Sequence, residues 1–396
     1  MASIINASST GSGGIVQTAD ASGVLQLQSN GTTAAFVDTN ANLNVSNSLN
    51  APNTFGFKNR IINGAVNISQ YNGTSSVTVG AVNPAYYIDR WAVTSSVASK
   101  LSIQQLSSSP PVGFSNYIGF TSLSAYSIGT SDYFSLQQRI EGFNFADLQW
   151  GTANAKKVTL SFWVQSSLTG TFGGSLVNSA GNRFYPFTYT ISAANTWQQI
   201  SVTIAGDTTG TWVGATNGIG LTVSWGLGIG SGLSTTAGAW TASTGYGATG
   251  ATSVVGTNGA TFYITGVQLE VGSSATGYEY RQYGTELDLC QRYYQTSFNW
   301  AGYCNNAGTS VGGLVYGCQF MRTVPTIGLN GPFNITDTYT ADYQQSSANI
   351  SGTIGGSNNS YFVFMGNFTG LVSTRGYIAR MNQSVAYNPI TLSAEL

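Results

Sequence analysis

The chain contains no histidine. This removes the commonest general base and the commonest metal ligand, and with them any Ser-His-Asp catalysis. Its three cysteines, Cys290, Cys304 and Cys318, include no C-x-x-C pair. They fall short of the usual four ligands of a structural zinc site and make a poor disulfide framework. Buried, reduced thiols are the expectation, with no metal and no cofactor. Charged residues are scarce, at 7 % of the chain against roughly a quarter of an ordinary soluble one. Lys and Arg number 13 and Asp and Glu 14, with no basic run. A phosphate backbone calls for a cationic face, so nucleic acid is not an expected partner. A nearly neutral, sparsely charged surface also favours self-association, and an oligomer is expected. No apolar stretch approaches the ~18 residues needed to span a bilayer. Met1 to Ser9 has neither a charged leader nor an apolar core, so no signal peptide is expected. The chain is expected to remain where it is made or to enter a particle assembled there.

What is present is glycine, hydroxyls, amides and aromatic rings: 50 glycines, 22 tyrosines, 19 phenylalanines and 8 tryptophans. Disorder requires low hydrophobicity with high net charge, and this chain has a 42 % hydrophobic share and a formal charge of −1. Residues 1–56 hold short alternating stretches, Gly23 to Gln28 and Thr33 to Asp38, split by turn residues. A run of this length buries too little to stand alone, so Val24, Leu25, Leu27, Phe36 and Val37 need a cover. The unit also contains Gly11 to Gly14, its turns are Asn-Gly and Asp-Ala, and Asn50 to Thr54 reads as the closing linker. Residues 57–282 carry the strongest β signal. Positions 158, 160, 162 and 164 are apolar, as are 200, 202 and 204, and 219, 221, 223 and 225. In Thr261 to Val271 the apolar face shifts by one residue at Gly266, which predicts a β-bulge. Period-2 strands separated by Gly/Ser/Asn turns predict an antiparallel sandwich. Residues 283–396 read as a third unit: a short helix, with Thr285 and Asp288 placed as a capping box and Leu287, Cys290 and Tyr294 at helical spacing, then further strands. The fold class is all-β.

Candidate chemistry follows from the residues available. The four lysines, Lys58, Lys100, Lys156 and Lys157, sit in no motif for Ser-Lys catalysis. Glycoside hydrolysis needs only two carboxylates, and Asp89, Glu141, Asp147, Glu270 and Glu279 are the acids to weigh. Asp89-Arg90-Trp91 reads most simply as an ion pair beside a core tryptophan, and Glu270 faces away from Leu269 and Val271. Sugar binding without cleavage fits the composition better, because Tyr, Ser, Gly and Asn make adaptable contact surfaces. Trp91, Trp163 and Trp225 fall in or near apolar strands and read as core. Gly226 to Gly259 is a long Gly/Ser/Thr/Ala-rich stretch, and long loops in compact domains are commonly functional. Its Trp240 and Tyr246, with Trp300 and Tyr303 after the helix, are the glycan-binding candidates.

Several segments together resemble a family of tailed-bacteriophage fibre proteins. They are Asn59 to Gly64 with Gln70 and Asp89-Arg90-Trp91; Gln138 to Gly142 with Gly151 to Lys156 and Leu160 to Val164; and Phe262 to Gly272 continuing through Tyr278 to Arg281 into Glu286 to Tyr294. The ending Ser393 to Leu396 is of the same type. The stretch from Asn-Gly to Val-Gln-Leu-Glu is also similar to carbohydrate-binding modules of jelly-roll type, and Gly14 to Asp20 with Gly23 to Gln28 resembles the leading segments of virion fibres. The resemblance implies a jelly-roll sandwich, a homotrimer, attachment to other virion proteins through residues 1–56, and a non-enzymatic tail fibre in the virion that adsorbs to host-surface glycans. A capsid (head) fibre or decoration protein and a glycan-degrading tailspike are the alternatives.

Overall fold

The structure, a computed structural model, describes residues 3–7, 15–18, 22–39, 43–45, 57–296, 299–306, 309–316, 319–329, 334–337, 342–345, 347, 350–354, 360–373, 375–379 and 390–396. The segment 11–14, the linker at 50–54 and Cys318 lie outside them. The chain divides into two compact units, Met1–Gly56 and Phe57–Leu396. Among the described residues no helix is long and apolar enough to cross a membrane.

The described residues of the first unit form one five-stranded sheet of β1 (Ser3–Ala7), β2 (Ile15–Thr18), β3 (Leu25–Ser29), β4 (Thr32–Val37) and β5 (Leu43–Val45), in the order β2-β1-β3-β4-β5. The register pairs Leu25 with Val37, Leu27 with Ala35 and Val37 with Leu43, so these residues share one face. Val24 lies just outside the strand, its N–H on the Ser22 hydroxyl at 3.3 Å.

The second unit is built on a jelly-roll β-sandwich. In chain order its strands are β6 (Val77–Thr78), β7 (Val82–Ile88), β8 (Trp91–Ser95), β9 (Leu101–Leu106), β10 (Tyr117–Ser122), β11 (Tyr133–Glu141), β12 (Val158–Ser166), β13 (Gly170–Val177), β14 (Phe184–Ile191), β15 (Gln198–Ile204), β16 (Ile219–Ile229), β17 (Ser234–Thr235), β18 (Gly247–Ala248) and β19 (Thr261–Val271). Sheet I runs β15-β12-β19-β10-β9-β6 and sheet II runs β14-β13-β16-β11-β8-β7. Alternation explains the two layers. Phe162, Val164, Ile264 and Phe120 of sheet I and Leu136, Val223, Trp225 and Phe172 of sheet II fill one shared core, with the Phe162 and Trp225 rings 5.7 Å apart. The bulge expected in β19 is present, where the register against β12 slips between Ser161 and Trp163. Gly266 supplies it with φ +60°, a left-handed conformation that costs glycine nothing.

Trp91 and Trp225 are fully buried in this core. Trp163, read from sequence as core, is only partly buried. It follows Phe162 on β12 and therefore points to the opposite face, because strand period is two.

Residues 283–396, set apart in the sequence reading, belong to the same compact unit as the sandwich. Helix α1 (Tyr283–Gln291) brings Cys290 against Ile62, Ile68 and Tyr293, with Leu287, Leu289 and Leu396 around them. The helix begins two residues before the expected cap. Thr285 therefore sits inside its first turn, and no side chain caps the start at Gln282. The polar role passes to Glu286, whose carboxylate accepts the Asn63 N–H. Beyond the helix lie a three-stranded and a seven-stranded sheet over a second core that includes Val311, Val315, Val363 and Leu392. Cys290 and Cys304 are buried and form no disulfide with each other.

Candidate functional site

At one end of the sandwich the turns after β11 and before β16 enclose a cleft of about 480 Å³. The chain leaves β11 through two short 3₁₀ turns, Gly142–Asn144 and Ala146–Leu148, which carry Phe145 and lead to Trp150. Trp212 comes from the Gly/Thr-rich turn before β16. Their rings lock edge to face: Trp150 stands 5.0 Å from Trp212 at 83° and Phe145 5.2 Å from Trp150 at 89°. Such pairs contribute about 0.5–1.5 kcal/mol beyond area burial. Gln149, Thr152 and Asn154 supply amide and hydroxyl groups on the rim, and every side chain in the lining is uncharged.

The rings are fixed from behind. The Trp150 indole N–H donates to the Lys156 carbonyl at 2.7 Å. That of Trp212 is shared between the Asp207 carboxylate and the Thr209 carbonyl, both at 3.2 Å. Asp207 is in turn gripped by the Arg183 guanidinium through two hydrogen bonds of 2.8 and 2.6 Å. Burial alone would raise the Asp207 carboxyl, but the Arg183 and Thr209 hydrogen bonds outweigh it and hold the group below the ordinary carboxylate range. Trp150 and Phe145 are themselves buried, 5 and 1 % exposed, and form the floor. Trp212 is only partly buried, and with its indole N–H occupied by the protein it keeps a ring face for stacking on another apolar surface.

The sequence candidates divide. Trp240 does reach this cluster, 5.1 Å from Trp150 and 5.4 Å from Trp212; it is partly buried, stands outside the cleft lining and has its indole N–H on the Ala205 carbonyl at 2.7 Å. Tyr246 is 37 % exposed and packs edge-on against Phe184. Tyr303 is 51 % exposed, whereas Trp300 is 1 % exposed within the second core. Trp300 and Tyr303 stand three apart on β21 (Asn299–Asn306), so alternation turns them to opposite faces and only the tyrosine emerges. The large indole is accommodated over Gly302 and Gly313, where any added Cβ would meet it at 2.7 and 2.6 Å. A buried ring has no face for a sugar. Sequence reading passed over Phe145, Trp150 and Trp212, although Trp212, in Gly210-Thr-Trp-Val-Gly214, carries the same signal that singled out Trp240: a lone tryptophan in a glycine-rich turn.

The five acids weighed for hydrolysis do not line the cleft. Asp147 pairs with Arg60 at 2.8 Å, Glu270 accepts the Thr276 N–H at 2.8 Å, and Glu279 accepts the Asn59 N–H at 2.6 Å. Asp89 and Glu141 enter a buried polar hub. The Asn63 amide donates to the Ile68 and Asp89 carbonyls at 2.8 and 3.0 Å, and the Trp91 indole donates to the Asn63 carbonyl at 3.0 Å. Arg292 clamps Glu141 at 2.9 and 2.6 Å. The expected Asp89–Arg90 pair is replaced. Arg90 pairs with Glu395 and lies 3.5 Å over the Tyr293 ring, while Asp89 accepts hydrogen bonds from Gln70. One guanidinium thus faces two buried carboxylates. Burial raises both, Asp89 to about 6 against its Gln70 bonds and Glu395 to about 7 against Arg90. The hub ties helix and tail to the sandwich and has an architectural role.

No protein-family model matches the chain, and no curated protein sequence matches it. Solved structures resemble it over about half its length. The enzymatically active domain of tailspike protein 4 from bacteriophage CBA120 is 12 % identical with a TM-score of 0.28, covering 54 % of this chain. This chain spans only 21 % of that one. TmCBM61 in complex with β-1,4-galactotriose is 12 % identical with a TM-score of 0.27, over 54 % of this chain and 99 % of its own. A sugar-binding protein from Bacteroides thetaiotaomicron is 8 % identical with a TM-score of 0.28, over 54 % and 100 %.

Proposed function

We propose that the chain is a structural fibre of a tailed-bacteriophage virion, a homotrimer that holds host-surface glycans without cleaving them. The observation that carries the binding part is the cleft: a partly buried, anchored Trp212 over a floor of Trp150 and Phe145, amides and a hydroxyl at the rim, and an uncharged lining. Sites of this make, apolar walls with a few placed polar groups, are the usual form for small ligands. The virion part rests on the sequence resemblance over residues 59–294. The oligomeric part is supported by the first unit, whose Leu25, Leu27 and Leu43 are 41, 44 and 64 % exposed in a single chain. Three linked copies would make later contacts intramolecular, and avidity exceeds single-site affinity by about 10²–10⁴ in such arrays, so a shallow cleft suffices.

The test is a glycan array and whole-cell binding assay on the purified protein, with mass by light scattering and the size of recovered glycans. Retention of an uncut glycan by a trimer, lost on Trp212→Ala, is the expected result. A trimer that binds neither cells nor glycans would favour a capsid fibre. Shortened glycans would overturn the non-enzymatic reading in favour of a tailspike.

A further inference from the structure

A second aromatic surface lies on the face of sheet I that points away from the core and shares no residue with the cleft. Phe162, Val164 and Ile264 face inward, so alternation turns Trp163, Gln165 and Tyr263 outward. The register sets Gln165 beside Tyr263 and Gln199 beside Trp163, so ring and amide sit opposite one another on adjacent strands. Tyr117, on β10, meets Trp197 at 5.2 Å and 78° and Tyr263 at 5.2 Å. The Trp197 indole N–H is fixed on the Ser109 carbonyl at 3.0 Å, so this ring too is set by the protein with its face left over.

The amides are the telling part. Among the described residues, the side-chain amides of Gln165 and Gln199 make no hydrogen bond to the protein. Each holds two donors and an acceptor beside a ring. An apolar protein partner would bury them unsatisfied, which is unfavourable. The hydroxyls of a sugar chain pair with them while the ring faces take its apolar C–H surface. None of these six residues carries a charge at neutral pH, which matches an uncharged ligand and gives no purchase to an acidic one. We propose that this face is a second binding surface, for a stretch of uncharged polysaccharide. It shares its ligand class with the proposed function but does not depend on the cleft.

Affinity electrophoresis of the full chain in native gels containing soluble galactan, mixed-linkage β-glucan or dextran tests it. The parent is compared with Trp197→Ala, with the surface pair Gln165→Ala and Gln199→Ala, and with the cleft variant Trp212→Ala. The glutamine pair removes only exposed or half-exposed amides, so it tests the surface even if Trp197→Ala folds poorly. The expected result is binding weakened about tenfold by the glutamine pair, the scale of two lost hydrogen bonds, with residual retardation in Trp212→Ala. Parent-like retardation of the glutamine pair on every polysaccharide overturns this surface and leaves the cleft standing. Complete loss in Trp212→Ala alone does the same, whereas parent-like behaviour of Trp212→Ala overturns the cleft and leaves the surface. A parent retarded by none of the three overturns both for this ligand class. A fall in mass by light scattering in the glutamine pair, with retardation intact, assigns the face to a second copy of the chain instead.

Discussion

Two stretches of this chain share one pattern and meet different fates. In β12 the alternating Val158, Leu160, Phe162 and Val164 are all fully buried. In β3 the alternating Leu25 and Leu27 are half exposed, while the intervening Gln26 and Gln28 are the more buried of the two sets. There the glutamines bond to each other at 3.1 Å and to Thr33 at 3.4 and 3.2 Å. The difference is the second layer. Sheet I has sheet II across a common core, and the described residues of the first unit form one sheet. Alternation decides which face is apolar, and only another layer decides whether that face is dry. Covering a leucine contributes about 1.5–3 kcal/mol, a gain the sandwich has realised and the single sheet has not.

The strongest way to test this contrast is to truncate the core. Trp225→Ala removes a ring that contacts Trp91 and Phe162 and is expected to cost about 3–5 kcal/mol, read from urea midpoints. A loss below about 1 kcal/mol would mean the two sheets are not tightly packed. Next comes the support of the cleft. Asp207→Ala leaves the Arg183 guanidinium without its carboxylate partner and leaves the Trp212 indole held by the Thr209 carbonyl alone. Arg183 keeps some solvent contact, so a cost of about 2–3 kcal/mol is expected, somewhat under that of breaking a wholly buried pair. Glycan retention should fall with it, and retention unchanged in a folded variant would show that Trp212 needs no such anchor.

Acidity separates the hub from the cleft. Asp89 and Glu395 are raised to about 6 and about 7, so the folded state holds their protons more tightly than the unfolded chain does. Their contribution is complete below the ordinary carboxylate values and is lost as pH rises through about 6 to 7. Asp207 and Glu141 are lowered and act oppositely: their contribution is present above the ordinary carboxylate values and is lost on acidification. The stability of the second unit, read from thermal unfolding, should therefore decline between about pH 5 and 7, by an amount on the order of a few kcal/mol at most, and Glu395→Gln should flatten that decline. A midpoint that rises over this range would show that Arg90 fully neutralises both carboxylates.

These elements differ in how far the sequence disclosed them. The strands of the sandwich and the bulge at Gly266 were legible because period and glycine are local. The helix was legible, though its cap was not: Glu286 finds its partner at Asn63, 223 residues away in sequence. The same distance hid the Arg90–Glu395 pair, which local reading had assigned to Asp89. Outward and inward aromatics were confused for Trp163 and Trp300 because ring type does not encode the face. Trp163 follows an inward phenylalanine, and Trp300 is admitted by two glycines on neighbouring strands. The cleft needed three turns brought together from residues 145, 150 and 212, which no spacing along the chain announces.

The smallest expected effect sharpens the opening contrast most. Leu27→Thr keeps strand propensity and removes apolar surface from a face that a single chain leaves half exposed. In dilute solution its cost should stay within about 0.5 kcal/mol, as for other surface substitutions. At concentrations where the proposed trimer forms, the same substitution should lower both the mass seen by light scattering and the apparent stability, because only the assembled state is stabilised by mass action. A dilute cost above about 2 kcal/mol would break the comparison, since Leu27 would then behave like Phe162. A mass unchanged at every concentration would leave the comparison intact but detach it from oligomerisation: the apolar face of the first unit would be distinct from the surface on which copies meet.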